Sequence, residues 1–397
     1  MSTSNKEPSL VPYQDRLHKA LSLQQALKRL DQEPVEVSTQ LKANEWLADV
    51  DPRRYVGSVH HTVPRFLLDR WSRKNQVEVY SRLSNSYSTR NVKDLAVRDF
   101  YTFIDRDGER NSTFESLLGT IESPIADITK RLLSPFSTTI MTTPEEKYAL
   151  AQFAAFQAVR TTRRRRELEL HGEWFAKTLA QGRLADADLR ELRVTPPQND
   201  LLVASMKHAG DLIHFFAFRP LEVVFLQDVR LRIGDEPLLI NGATREAGHL
   251  PDCFLTDEQF KAKVNREARK KLKRRKEIHR TVHFRPTQTQ GIGVALELIL
   301  PISPKALLWW GPLQNEAFDG GIEAQHVTAR ESAELADLVN KAMTAQALDW
   351  VVASRDDDGF RAMDKPALEP LMTVCDGNNA AAAAINTLPT VFRPGRL

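Results

Sequence analysis

Cysteine is nearly missing from this chain. Of its 397 residues two are cysteines, Cys253 and Cys375, and no CxxC pair occurs. A disulfide framework is therefore excluded, and two reduced thiols are the expectation. Long apolar runs are missing as well. No stretch approaches the roughly 18 consecutive apolar residues of a membrane helix, and the opening MSTSNKEPSLVPYQDR lacks the apolar core of a secretory signal. Cytoplasmic residence without membrane contact follows as the expectation. The metalloprotease signature HExxH does not occur, and no cofactor or metal is expected. Charge of one sign is also lacking overall: 55 Lys and Arg face 52 Asp and Glu, a formal net of +3. Bulk charge alone thus selects no partner.

The charge that is present is polarised. Residues 261–280, KAKVNREARKKLKRRKEIHR, hold eleven Lys or Arg against Glu267 and Glu277, a net of +9 that leaves −6 for the rest of the chain. Val264, Ala268 and Leu272 recur every fourth residue, a stripe too thin to anchor a core helix. A solvent-exposed basic helix projecting from the main body is expected there. Lys270, Lys271, Lys273, Arg274, Arg275 and Lys276 are its densest part and the candidate nucleic-acid contacts. No aromatic residue interrupts the run, so contact would be to phosphate and insensitive to base sequence. A solvated charged insertion remains the other reading of this segment, and contact with a membrane surface or an acidic protein surface a third.

Length and pattern point to an α+β architecture, with helical layers on a small mixed or antiparallel sheet. Residues 1–50 read as a tail and a short amphipathic helix carrying Leu17, Leu21, Leu27 and Leu30. Residues 51–360 form the main domain, divisible into two packed units, and 361–397 a loosely held tail. QVEVYSR alternates as a half-buried strand does, and VRDFYTFIDRDGER reads as a strand ending in an Asp107-Gly108 turn. In PRFLLDRWS, Pro64 suits the first position of a short helix, and in TFESLLGTIESPIADITKRLL, Pro124 marks a kink or a second start. LEVVFLQDVRLRIGDEPLLIN reads as two strands, GVALELILPISPKALLWWG as strand, turn, strand, and ESAELADLVNKAMTAQALDWVVASRD as a helix running into a strand. Thr143, Pro144, Glu145 and Glu146 make a strong helix start. One continuous helix is expected from there to at least residue 165, with Phe153, Phe156 and Arg160 on its inward face.

Two polar features need an explanation. RTTRRRREL places five arginines at positions 160–166, enough to cover most of a helix circumference. Arg160 shares the Phe153 face, so burial would require a carboxylate or carbonyl partner. In GSVHHTVPRFLLDRW, His60 and His61 are adjacent, and in extended backbone they point to opposite sides. His61 is either a hydrogen-bonded structural residue or a general base or metal ligand.

The order of these stretches resembles the domain-of-unknown-function family numbered 4238. Its His-x-Val-Pro opening is matched by His61, Val63 and Pro64, its aspartate-Phe-Tyr strand by Asp99, Phe100 and Tyr101, and its Phe-x-x-x-Gln-x-x-Arg helix by Phe153, Gln157 and Arg160. A Ser-Asp-Asn-Pro turn is replaced by Gly234, Asp235, Glu236 and Pro237, and a Pro-Leu-Ser-Pro strand end by Pro301, Ile302, Ser303 and Pro304. The resemblance spans about residues 58–355 and implies a motif map without a reaction. It groups His61, Arg160 and Asp235. Brought together, they would form either a catalytic cluster, with a His–carboxylate base and an arginine for a developing anion, or a buried network between two layers. Three functions follow as expectations: electrostatic contact with nucleic acid or another polyanion, hydrolysis of a phosphate-bearing substrate by that cluster, or a protein-interaction module. A bacterial defence setting is an expectation that no residue carries. Oligomeric state is left open.

Overall fold

The computed structural model describes residues 60–95, 97–98, 103–104, 110–111, 113–134, 139–140, 142–180, 183–191, 196, 198–242, 284–286, 292, 295–314, 321–367 and 372–374. The N-terminal amphipathic segment, the basic run 261–280 with its expected projecting helix, and residues 375–397 lie outside the described residues.

The described chain opens with β1 (His60–His61) and a short α1 (Arg65–Leu68). Pro64 is the N-cap of α1 rather than its first residue, one position earlier than expected. A hairpin follows, β2 (Gln76–Ser81) and β3 (Ser86–Asn91), then the short β4 (Val97–Arg98), β5 (Phe103–Ile104) and β6 (Arg110–Asn111). The last two pair antiparallel, and the expected Asp107-Gly108 turn lies outside the described residues. Helix α2 (Thr113–Leu132) runs through Pro124 as one element rather than restarting there. After β7 (Thr139–Ile140) comes α3 (Pro144–Val159), capped as its sequence demands. The Thr143 hydroxyl accepts from the Glu146 amide, the Glu146 carboxylate accepts from the Thr143 amide, and Pro144 fills the first position.

Here the expected long helix is corrected. It stops at Arg160, whose backbone (φ −91°, ψ 9°) closes the last turn, and α4 (Thr162–Ala180) begins anew. The break is built by Thr161, whose hydroxyl accepts from the Arg164 amide as an N-cap. Helices α5 (Asp186–Glu191) and α6 (Gln198–Ala217) follow. Strands β8 (Leu221–Phe225), β9 (Ile233–Gly234), β10 (Leu239–Gly242), β11 (Phe284–Pro286), β12 (Ala295–Ser303), β13 (Ala306–Trp310) and β14 (Ile322–His326) lead to α7 (Ala329–Gln346), β15 (Trp350–Ala353) and β16 (Met372–Val374). A second capping box, Thr328 with Glu331, starts α7.

The central sheet has six strands in the order β10-β12-β13-β8-β14-β7, antiparallel except for the β8–β14 pair. Period-two alternation divides it between two cores. Leu308 and Trp310 of β13, with Leu298 and Leu300 of β12, face Phe153 and Phe156 of α3 and Phe216 of α6. Leu307 and Ile299 face the other way, against Ala336, Val339 and Met343 of α7. Helices therefore cover both faces. A second, antiparallel sheet, β3-β2-β15-β9, joins the first core through Val77 and Val79. The architecture is α+β, as the pattern indicated. Arg219 locks the end of α6 to the sheet: its guanidinium donates to the carbonyls of Ile292, Ala295 and Gly311 at 2.8, 2.8 and 2.6 Å.

Candidate functional site

Two of the three expected site residues, His61 and Arg160, meet at the break between α3 and α4. Arg160 is almost fully buried, and it has the carbonyl and carboxylate partners its burial requires. Its Nε donates to the Thr62 carbonyl at 2.7 Å, Nη2 to the His61 carbonyl at 2.7 Å, and Nη1 to the Glu122 carboxylate of α2. His61 and Arg160 thus meet, but through the backbone of His61. Burial pulls the His61 imidazole below its ordinary pKa, and the Arg160 charge adds to that pull; a backbone hydrogen bond to Lys93 and the Glu122 charge oppose it. The ring therefore favours the neutral form at pH 7, and its Nε2 is buried without a hydrogen-bond partner. Glu122 was missed by the sequence reasoning. It stands on the polar side of an ordinary amphipathic helix, and nothing in its spacing marks it.

Asp235 sits in the turn after β9. Its two carboxylate oxygens accept from the Leu348 and Asp349 amides at 3.0 and 2.8 Å, which fixes the link from α7 to β15. The neighbouring Glu236, also missed, reaches the helix break. Its carboxylate accepts from the Arg163 amide at 3.0 Å and from the Thr161 hydroxyl, taking up an amide left open at the start of α4. Burial is the largest cause holding the Glu236 carboxyl well above its ordinary pKa, and the adjacent Asp235 charge adds to it; the Arg163 charge and the two hydrogen bonds pull it back. The Gln346 amide donates to the carbonyls of Glu236 and Leu238. Gly234, where the resembled turn has serine, lies so close to α7 that a Cβ would come within 3.3 Å of both Met343 Sδ and Ala347 Cβ. Of the three expected residues, Arg160 and His61 meet on one side of the helix break, while Asp235 binds the Leu348 and Asp349 amides and only its neighbour Glu236 reaches the break.

Three of the remaining four arginines of the 160–166 cluster pair with two glutamates of their own helix. Arg164 pairs with Glu167 at 3.0 Å, and Arg165 and Arg166 both reach Glu169, at 3.4 and 3.3 Å. Arg163 Nη2 donates to the Gln346 carbonyl at 2.7 Å.

A separate feature has no counterpart in the motif map. A cleft of about 580 Å³ opens where the segment after α1, the β12–β13 turn and the segment after β15 converge. Five cations line it, Arg70, Arg73, Arg230, Lys305 and Arg355, against one carboxylate, Asp356. Arg70 is held in the wall, with Nη1 on the Ile302 carbonyl at 3.0 Å and Nη2 on the Thr129 hydroxyl at 2.5 Å. Burial lowers its pKa to about 10, so it stays charged at neutral pH. Arg73, Lys305 and Arg355 are exposed. Trp71 shares the wall, but its ring is buried and its Nε1 donates to the Leu231 carbonyl at 2.7 Å.

Residues 59–209 match the family model described as Protein of unknown function (DUF4238). The resemblance read from the motifs is shown over that span, which is narrower than the expected 58–355. It takes in His61, Gln157 and Arg160, and ends before Asp235 and the 301–304 turn. No curated protein and no solved structure matches this chain. The candidate contacts Lys270, Lys271, Lys273, Arg274, Arg275 and Lys276 lie outside the described residues, as does a histidine pair at i, i+4 spacing, His279 and His283, that the sequence reasoning overlooked. Among the described residues no helix is long and apolar enough to cross a membrane.

Proposed function

We propose that this protein binds nucleic acid through its phosphates, without reading base sequence. The observation that carries the reading is the cleft, in which five cations from four segments face a single carboxylate. Folding has brought like charges together there, an arrangement that repels itself unless an anion enters. The run at 261–280 adds nine net positive charges to the same chain. The cleft offers no exposed ring for base stacking, since Trp71 is buried and hydrogen-bonded. Phosphate contact positions a strand and carries no sequence information.

The test uses labelled single-stranded and duplex probes of unrelated sequence, titrated with the full chain over a salt series. Equal affinity for unrelated sequences, falling steeply as salt rises, is the expected result. Absence of binding at low salt, or a strong preference for one sequence, overturns it. Probe length should stay constant. Shortening would support the hydrolase reading instead, for which the specific observation is the buried, neutral-leaning His61 ring, whose backbone carbonyl accepts from the Arg160 guanidinium.

A further inference from the structure

Within the cleft, Arg230 differs from the other cations. Its backbone is clamped by α7: the Asn340 side-chain amide donates to the Arg230 carbonyl at 2.9 Å, and the Asn340 side-chain oxygen accepts from the Arg232 amide at 2.8 Å. Its guanidinium is fixed as well. Nη1 donates to the Val229 carbonyl at 3.0 Å, while Nε and Nη2 converge on one oxygen, Asp356 Oδ2, at 3.0 and 2.8 Å. The pair is asymmetric in exposure, with the arginine side chain 27% exposed and the aspartate 59% exposed. The carboxylate therefore lies on the solvent side of a preoriented fork. The nearby Arg232 has its own partner, Asp357, at 2.8 Å, so Asp356 does not serve it.

A carboxylate and a phosphate present the same two-oxygen edge to a guanidinium. An ion pair this exposed adds little to stability, so holding the fold is a poor account of why the cleft's single acid stands on its best-oriented base. We infer that Arg230 is the phosphate seat of the cleft and that Asp356 competes for it, an autoinhibitory carboxylate that an incoming nucleic-acid phosphate must displace. The inference rests on the cleft being a phosphate site, the reading given above. Arg230 is the charged group paired with Asp356, and Arg70, Arg73, Lys305 and Arg355 line the same cleft. Hydrogen bonding from Arg230 is the largest cause holding the Asp356 carboxyl down to about 2. It is ionised throughout pH 5.5–8, and the competition should be constant over that range.

The test measures binding of a labelled 20-nucleotide single strand to the full chain at low salt. Asp356→Asn should tighten binding about threefold to fivefold, equally at pH 5.5 and pH 8. Asp356→Ser should do the same and serves if the first variant fails to fold. Arg230→Gln should weaken binding and abolish the gain, so that the double variant behaves as Arg230→Gln alone. Unchanged or weaker binding by both Asp356 variants overturns the inference while leaving the cleft reading intact. Loss of all binding by the parent overturns the cleft reading itself. In a parallel arm, inorganic phosphate replaces the oligonucleotide. If it displaces Asp356 as well per phosphate as the strand does, the seat stands and the ligand is free phosphate rather than nucleic acid.

Discussion

Arg160 and the cleft arginines carry the same guanidinium and do opposite things with it. Arg160 is sealed in the core, and each of its donor nitrogens has an acceptor: two carbonyls of the 61–62 segment and the Glu122 carboxylate. Arg73 and Arg355 are exposed beside a concavity, where hydration serves most of their donors and Arg355 adds one long contact to the Gln76 side chain at 3.4 Å. Burial makes the difference. A desolvated cation is tolerated only when the fold supplies all its partners, which turns it into a staple. A hydrated one keeps its field available to a ligand. Residue type alone thus assigns no role, and the helix break at 160–161 and the cleft should respond to substitution in opposite ways.

The largest expected effect is on stability at the staple. Arg160→Ala strands the Glu122 carboxylate and two carbonyls, and should cost about 3–5 kcal/mol in denaturant unfolding. A loss below about 1 kcal/mol would erase the distinction drawn here. A smaller, pH-dependent effect is expected at Glu236. Its folded pKa is raised above the unfolded value, so the proton it binds favours the folded state at low pH, and this contribution is lost as pH rises through the folded pKa. Glu236→Gln keeps the acceptor for the Arg163 amide and removes the titration. The variant should therefore gain stability relative to the parent as pH rises from 5 to 9, read as a difference in Tm. A constant difference, or one that shrinks with pH, would show that Glu236 is ionised in the fold. The smallest stability effects belong to the cleft. Arg73→Gln, Lys305→Gln and Arg355→Gln should each change unfolding free energy by no more than about 0.5 kcal/mol.

Much of the core was legible because it rests on local rules. Thr143, Pro144 and Glu146 mark the start of α3, and the spacing of Phe153, Phe156 and Arg160 foretells their burial. The end of that helix was not legible. It depends on Thr161 finding the Glu236 side chain from a turn more than 70 positions away in sequence, and no pattern in 144–165 records that partner. Asp235 could be grouped with His61 and Arg160 from the motif order, yet its duty at the Leu348 and Asp349 amides depends on a register that only the folded sheet defines. The cleft was invisible for the same reason: Arg73, Arg230, Lys305 and Arg355 sit in four ordinary stretches, and only the convergence of the β12–β13 turn with the segments after α1, β8 and β15 sums their charge. The basic run at 261–280 is the converse case, plain in sequence and outside the described residues.

The most direct test of the central claim, that the cleft cations act on a bound polyanion, is the salt dependence of binding by the triple variant Arg73→Gln, Lys305→Gln, Arg355→Gln beside the parent. The slope of log Kd against log salt for a single-stranded probe should fall by about two to three in the variant, with low-salt affinity reduced about tenfold or more and Tm unchanged. An unchanged slope at full affinity, with the variant folded, would contradict the account and leave the cleft a solvated surface.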